Sequence, residues 1–207
     1  MKTLKKKSLN ELKKLLPVVG KSEQVNYNGG TVYCNLSGVY LGKVGNGDDL
    51  RFCSEMEFSI YASSNIEGKG ISFDSLNNAG QYYFITQNSP FSNAQINEGG
   101  SNTDAGLSKD GTLYINENAS SWNNYNDALS TLKHEWYHYQ NHHYELTGVN
   151  NIALAEIETY LDQINSSQFQ STSNEYKKNT AEYLYSYYQQ TGQDVSLDDL
   201  YRLVGIY

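Results

Sequence analysis

The stretch His134-Glu135-Trp136-Tyr137-His138 limits the folds open to this chain more than any other. At about 100° per residue, side chains four apart stand on one helix face, one turn above each other, so the two imidazoles converge only if the segment is helical. Neutral imidazole nitrogen is a good zinc ligand, and zinc brings the pKa of bound water down toward ~7. Glu135, three residues before His138, stands where it could polarise such a water. A random chain of about 200 residues would contain the H-E-x-x-H pattern with a probability of about half a percent. The fold is therefore expected to supply a helix here and to bring a further ligand to it from another element.

A catalytic zinc takes three protein ligands, so the third has to be sought outside the motif. His142 continues the same face but lies about 12 Å from His134 at ~1.5 Å rise per residue, too far for one ion. The longer pattern that needs Gly at 141 and His at 144 is absent, because the chain has Asn141 and Tyr144, and a metzincin is excluded. Glu156 and Glu158 fall on the next predicted helix. Its apolar stripe, Leu154, Ile157, Leu161 and Ile164, marks an inward side that Glu158 shares, while Glu156 groups with Ile152, Thr159, Tyr160 and Gln163. A carboxylate turned toward a core is costly unless paired or bound to metal. Glu158 is thus the better ligand, with Glu156 the alternative. Asp162 shares the face of Glu158 and could accept the spare N–H of a ligating imidazole, fixing its tautomer.

His134-Glu135-x-x-His138 followed by Glu158-x-x-x-Asp162 resembles the thermolysin-like gluzincin metallopeptidases over residues 112 to 165. The resemblance implies a Zn2+ cofactor held by His134, His138 and Glu158, with Asp162 supporting the ligands. It implies peptide-bond hydrolysis on a peptide or protein substrate: zinc polarises the carbonyl, while Glu135 takes a proton from the attacking water and passes it to the leaving amine. Such enzymes align substrate on an edge strand upstream of the active helix, for which Thr112-Leu113-Tyr114-Ile115-Asn116 is the candidate. The group over the developing oxyanion is open among Tyr160, Tyr139, His142 and His143.

Around this helix the chain reads as α+β. From Thr31 to Glu117, short β-branched and aromatic runs alternate with Gly, Asn, Asp and Ser, which predicts a β-rich half; Phe58-Ser59-Ile60-Tyr61 and Gln81-Tyr82-Tyr83-Phe84-Ile85 read as strands. Residues 86 to 109 read as one long polar loop. From 125 to 207 apolar and Tyr residues recur at helical spacing, predicting helices at Asp127 to Glu145, Ile152 to Gln168 and Asn174 to Thr191, with a last short one at Ser196 to Val204 capped by Ser196. Residues 31–207 are read as one domain, a β-rich part over 31–117 joined to a helical part carrying a zincin-type active helix. Cys34 and Cys53 fall in two apolar segments that suit neighbouring strands. A disulfide in an oxidising compartment and two buried thiols both fit that placement.

The net charge of -8 over 207 residues conceals a step. Residues 1 to 30 hold seven Lys against two Glu, a net of +5, leaving 8 basic and 21 acidic side chains, a net of -13, on the remainder. An acidic body is a poor polyanion binder, so nucleic acid is excluded as a partner. The longest apolar run of the head, Leu15-Leu16-Pro17-Val18-Val19, is too short for a secretory signal, and nothing approaches the ~18 apolar residues of a membrane span. Leu4, Leu9, Leu12, Leu15 and Leu16 among lysines, followed by Tyr27 and Gly29-Gly30, resemble a double-glycine export leader. That resemblance implies a peptidase-containing export transporter as partner, cleavage after Gly30, a mature secreted chain beginning at Thr31, and the role of a toxin or competition factor. A different class also fits, a secreted Tyr-rich binding module with a structural or inactive metal site. Glu135 favours the enzyme, since a purely structural site has no use for a base.

Overall fold

The computed structural model describes residues 30–47, 49–92, 94–97 and 104–206. Residues 1–29, which carry most of the leader reading, lie outside the described residues. Two small sheets and a helical layer make up the α+β architecture. The first sheet has β1 (Thr31–Cys34) at its centre, antiparallel to β2 (Tyr40–Val44) and parallel to β3 (Leu50–Phe52). The second places β6 (Leu113–Asn116) between β4 (Ala94–Asn97), parallel to it, and β5 (Ala105–Leu107), antiparallel.

The described strands all lie before residue 117, but two helices lie among them, α1 (Glu55–Ser64) and α2 (Asn78–Asn88), so the first half is mixed and not simply β-rich. Both runs read as strands, Phe58 to Tyr61 and Gln81 to Ile85, are helical. Helix α1 starts at a capping box: Ser54 Oγ accepts from the Glu57 N–H at 3.3 Å, and Glu57 Oε2 accepts from the Ser54 N–H at 2.8 Å. Asn77 caps α2 by accepting from the Gly80 N–H at 2.9 Å. In α2 the buried side chains are Gln81, Phe84 and Ile85, a helical period that a run of consecutive aromatics conceals. The loop between β1 and β2 passes so close to α2 that a Cβ on Gly38 would lie 2.3 Å from Phe84 Cα. Within the stretch read as one long loop, β4 and β5 provide the two flanks of the second sheet.

Cys34 and Cys53 do sit on neighbouring strands, with the Cys53 N–H donating to the Cys34 carbonyl at 3.0 Å. The pleat sends their side chains to opposite sides. Cys34 packs with Val32, Leu50 and Phe52, whereas Cys53 packs with Tyr33 and Val44. Both are buried free thiols, and their orientation opposes a bridge between them.

After residue 124 come α3 (Tyr125–Gln140), α4 (Val149–Ile164), the single turn α5 (Ser167–Gln170), α6 (Asn174–Gln190) and α7 (Leu197–Leu203). Asn124 caps α3, accepting from the Asn126 and Asp127 N–H groups, and Ser196 caps α7 as its sequence suggests. Two apolar cores flank α3. One, with Phe73 stacked on Trp122 at 5.0 Å, joins the sheets to α2 and to Ala128 and Leu132 of α3. The other fills the space among α4, α6 and α7 with Ile157, Ile164, Leu184 and Leu200. Helix α3 thus gives its apolar face to the first core and keeps Thr131, His134, Glu135 and His138 buried on the side toward α4.

Candidate metal centre

His134 and His138 lie on successive turns of α3, with their Nε2 atoms 3.1 Å apart. The third member is Glu156 of α4, whose Oε2 lies 3.4 Å from His134 Nε2 and 3.3 Å from His138 Nε2. A tetrahedral ion with bonds of 2.0–2.1 Å sets its ligand atoms about 3.3 Å apart, so this triangle has the dimensions of a zinc-type site. Among the described residues it is the one His, Cys, Asp and Glu cluster with such spacing.

Glu158, preferred as ligand from the helix pattern, stands elsewhere: it accepts from the Tyr137 hydroxyl at 3.2 Å. The reason lies in α4, which buries two faces. Its apolar stripe does point inward, but toward α6 and α7, where Ile157 and Ile164 sit in the second core. The opposite face, with Glu156, Thr159, Tyr160 and Gln163, turns to α3. Asp162 is exposed and supports neither imidazole.

Gln163 occupies the supporting position given to Asp162. Its Nε2 has two N–H groups shared among the Ser130 carbonyl (3.0 Å), Ser130 Oγ (3.0 Å) and the Tyr176 hydroxyl (2.9 Å), which leaves its Oε1 facing His134 Nδ1 at 3.2 Å. That carbonyl can only accept, so His134 carries its proton on Nδ1 and presents a lone pair at Nε2. His138 Nδ1 is 3.1 Å from His143 Nδ1 and 3.4 Å from Thr159 Oγ1. Thr159 spends its proton on the Ala155 carbonyl at 2.8 Å, so toward His138 it can only accept, and the His138 tautomer that donates to it from Nδ1 has its lone pair at Nε2.

Two imidazole nitrogens, that of His134 presenting a lone pair, and a carboxylate oxygen therefore converge, an arrangement that a cation completes. Burial opposes ionisation of Glu156, but the two imidazoles outweigh it and hold the carboxyl well below its ordinary range. Burial likewise acts to lower His134, and the Glu156 carboxylate reverses this to a net rise. The residues present fit a divalent ion of the zinc class on donor type, spacing and tautomer.

Glu135 is buried on the same face, and its carboxyl is raised chiefly by burial; His134 and His138 work against that rise, and Glu156 and Asp104 add to it. A carboxylate in such a place can act as a general base and then a general acid. All these groups line one cavity of about 460 Å³. Tyr160 also lines it, with its ring 4.4 Å from that of His134, and its hydroxyl is raised well above the ordinary range, first by burial and then by the charge of Glu156.

Among the other groups considered for an oxyanion, His142 ends α3 in the left-handed region (φ 54) with an exposed side chain. That reversal carries His143 back beneath His138. Tyr139 stacks on Trp136 at 5.1 Å and on Tyr144 at 5.7 Å, away from the imidazoles. His143 lines the cavity, and its imidazole is pushed down to about 4, first by burial and then by His138.

The candidate substrate strand also moves. Of the stretch Thr112 to Asn116, residues Leu113–Asn116 form the central strand of their sheet, with Leu113, Tyr114 and Ile115 paired on both sides, and so cannot add a further strand. The strand that lines the cavity is β5, which among the described residues pairs on one side only. No helix among the described residues is long and apolar enough to cross a membrane. Comparison with protein-family models, with curated proteins and with solved structures gives no match.

Proposed function

We propose that this chain is a zinc-dependent metallopeptidase of the gluzincin kind, with His134, His138 and Glu156 holding the ion and Glu135 moving the proton. The observation that carries this reading is the placement of Glu135 in the cavity where two imidazole nitrogens and Glu156 meet at ligand spacing. A bound zinc ion supplies Lewis acidity to the scissile carbonyl and lowers the pKa of water at the site.

The chain's own residues supply the rest. Glu135 accepts a proton from water as the water oxygen bonds to the carbonyl carbon, and delivers it to the amine nitrogen as the carbon–nitrogen bond breaks. Tyr160, kept protonated, has a hydroxyl to donate to the oxyanion. The free side of β5 pairs with the extended substrate backbone, holding the carbonyl beside Glu135. Export through a double-glycine leader cut after Gly30 belongs to the same proposal and rests on the sequence of the head.

Zinc-loaded full-length protein and its Glu135→Gln variant, compared on casein and on a mixed peptide library, test the reading. The wild type is expected to cut at least about a hundredfold faster, as removal of a general base typically costs 10²–10⁴. Equal rates from two folded, zinc-replete proteins would overturn it.

A further inference from the structure

Three carboxylates line the cavity, and the chemistry above uses two of them. Asp104, the third, stands immediately before the edge strand β5 and near enough to Tyr176 for its charge to act on that hydroxyl, which lies 2.9 Å from the Thr131 hydroxyl; all three line the cavity. Thr131 precedes Glu135 by four residues, so it lies about 6 Å along the α3 axis from the proton-transfer group. An extended peptide advances about 3.3 Å per residue, so that offset spans roughly two substrate residues.

Asp104 is half-buried, and among the described residues no Lys or Arg forms an ion pair with it. The one cationic side chain lining the cavity, Lys109, is exposed. Burial raises the Asp104 carboxyl, with the Ser121 hydroxyl acting the other way. A carboxylate removed from water without a cation is costly, and a cation arriving with a ligand offsets that cost. Tyr176 and Tyr183 add aromatic wall against which a long aliphatic stem can lie.

We propose that Asp104 makes this site selective for peptides carrying a lysine or arginine within about two residues of the bond that is cut. The inference rests on the peptidase reading for the word "cut" but not for the pocket's preference, and the two can be separated.

The test uses zinc-loaded full-length protein carrying Glu135→Gln, so that peptides bind without turnover. Fluorescein-labelled Ala/Gly heptapeptides, with lysine at each position in turn, are titrated by anisotropy beside a matched norleucine set. At one position the lysine peptide is expected to bind at least about tenfold tighter than its norleucine twin, and adding Asp104→Asn should bring the ratio near one. Asp104→Ser serves for the same comparison if the Asn variant does not fold. A ratio near one at every position overturns the proposal, as does a lysine preference that survives loss of the Asp104 charge. A lysine preference in binding beside a wild type no faster than Glu135→Gln would sink the peptidase reading and leave the Asp104 pocket standing.

Discussion

At the scale of single residues, the site turns on which atoms can donate. His134 Nε2, His138 Nε2 and Glu156 Oε2 lie within 3.4 Å of one another, and the Gln163 carbonyl behind His134 sets that ring with its lone pair forward. Glu156→Gln is therefore expected to weaken zinc binding by more than about a hundredfold, and Glu158→Gln by no more than about threefold, in competition titrations against a chromophoric chelator. The reverse order would show that the ion is held as the helix pattern alone suggested. Gln163→Leu removes the acceptor behind His134 while keeping much of the bulk, and should cost about 10- to 100-fold in zinc affinity in the same titration. An unchanged affinity would mean that Gln163 does not orient the ring. His134, Glu135 and His138 were legible in the sequence because helical spacing alone aligns them. The third member of the candidate triad was not, because the rule that inward faces are apolar fails for a helix that also faces a polar cavity. Glu156 shares its face with Thr159, Tyr160 and Gln163, and that face turns to the two imidazoles.

At the scale of elements, the helical half could be read from periodicity, since α3 and α6 repeat their buried side chains every three to four residues and α4 buries two such faces. The first half misled for a related reason. Consecutive aromatics such as Tyr82-Tyr83-Phe84 have the composition of a strand, and only burial of Gln81, Phe84 and Ile85 reveals the helical period. A usable signal was present ahead of α1, where Ser54-x-x-Glu57 is a capping box. Ser54→Ala should cost about 1 kcal/mol in urea unfolding, with the slope against urea unchanged. A loss below about 0.2 kcal/mol would show that α1 is held by its packing on β2 and not by its cap. Strand identity could be read for Leu113 to Asn116, but strand order could not. Whether a strand is central or at an edge depends on partners distant in sequence, and it was β5, inside a stretch read as loop, that took the edge beside the cavity.

At the scale of the whole molecule, the candidate metal centre joins α3, which closes the sheet-side core, to α4, which belongs to the helical core. Zinc should therefore stabilise the fold as a unit. At free zinc one hundred times its dissociation constant the gain is about 2.7 kcal/mol, or about 5–10 °C in Tm for a chain of this size. The pH dependence has a definite sign. Without metal, the raised pKa of His134 and the lowered one of Glu156 mean that their attraction contributes above the ordinary carboxylate range and fades as pH rises through the histidine value. With metal, both imidazoles must be unprotonated, so that contribution grows as pH rises. The Tm increment on adding zinc should hence shrink steadily from about pH 8 to about pH 5, as differential scanning calorimetry would record. An increment that grew toward acid pH would place the ion on other groups.

The most direct test of the metal centre is an anomalous difference map collected at the zinc absorption edge from crystals grown with zinc. The expected result is a single strong peak within about 2.0–2.2 Å of His134 Nε2, His138 Nε2 and Glu156 Oε2, with the Glu135 carboxylate facing it across the cavity. A map with no peak between α3 and α4, or with the ion bound by Glu158 instead of Glu156, would contradict it.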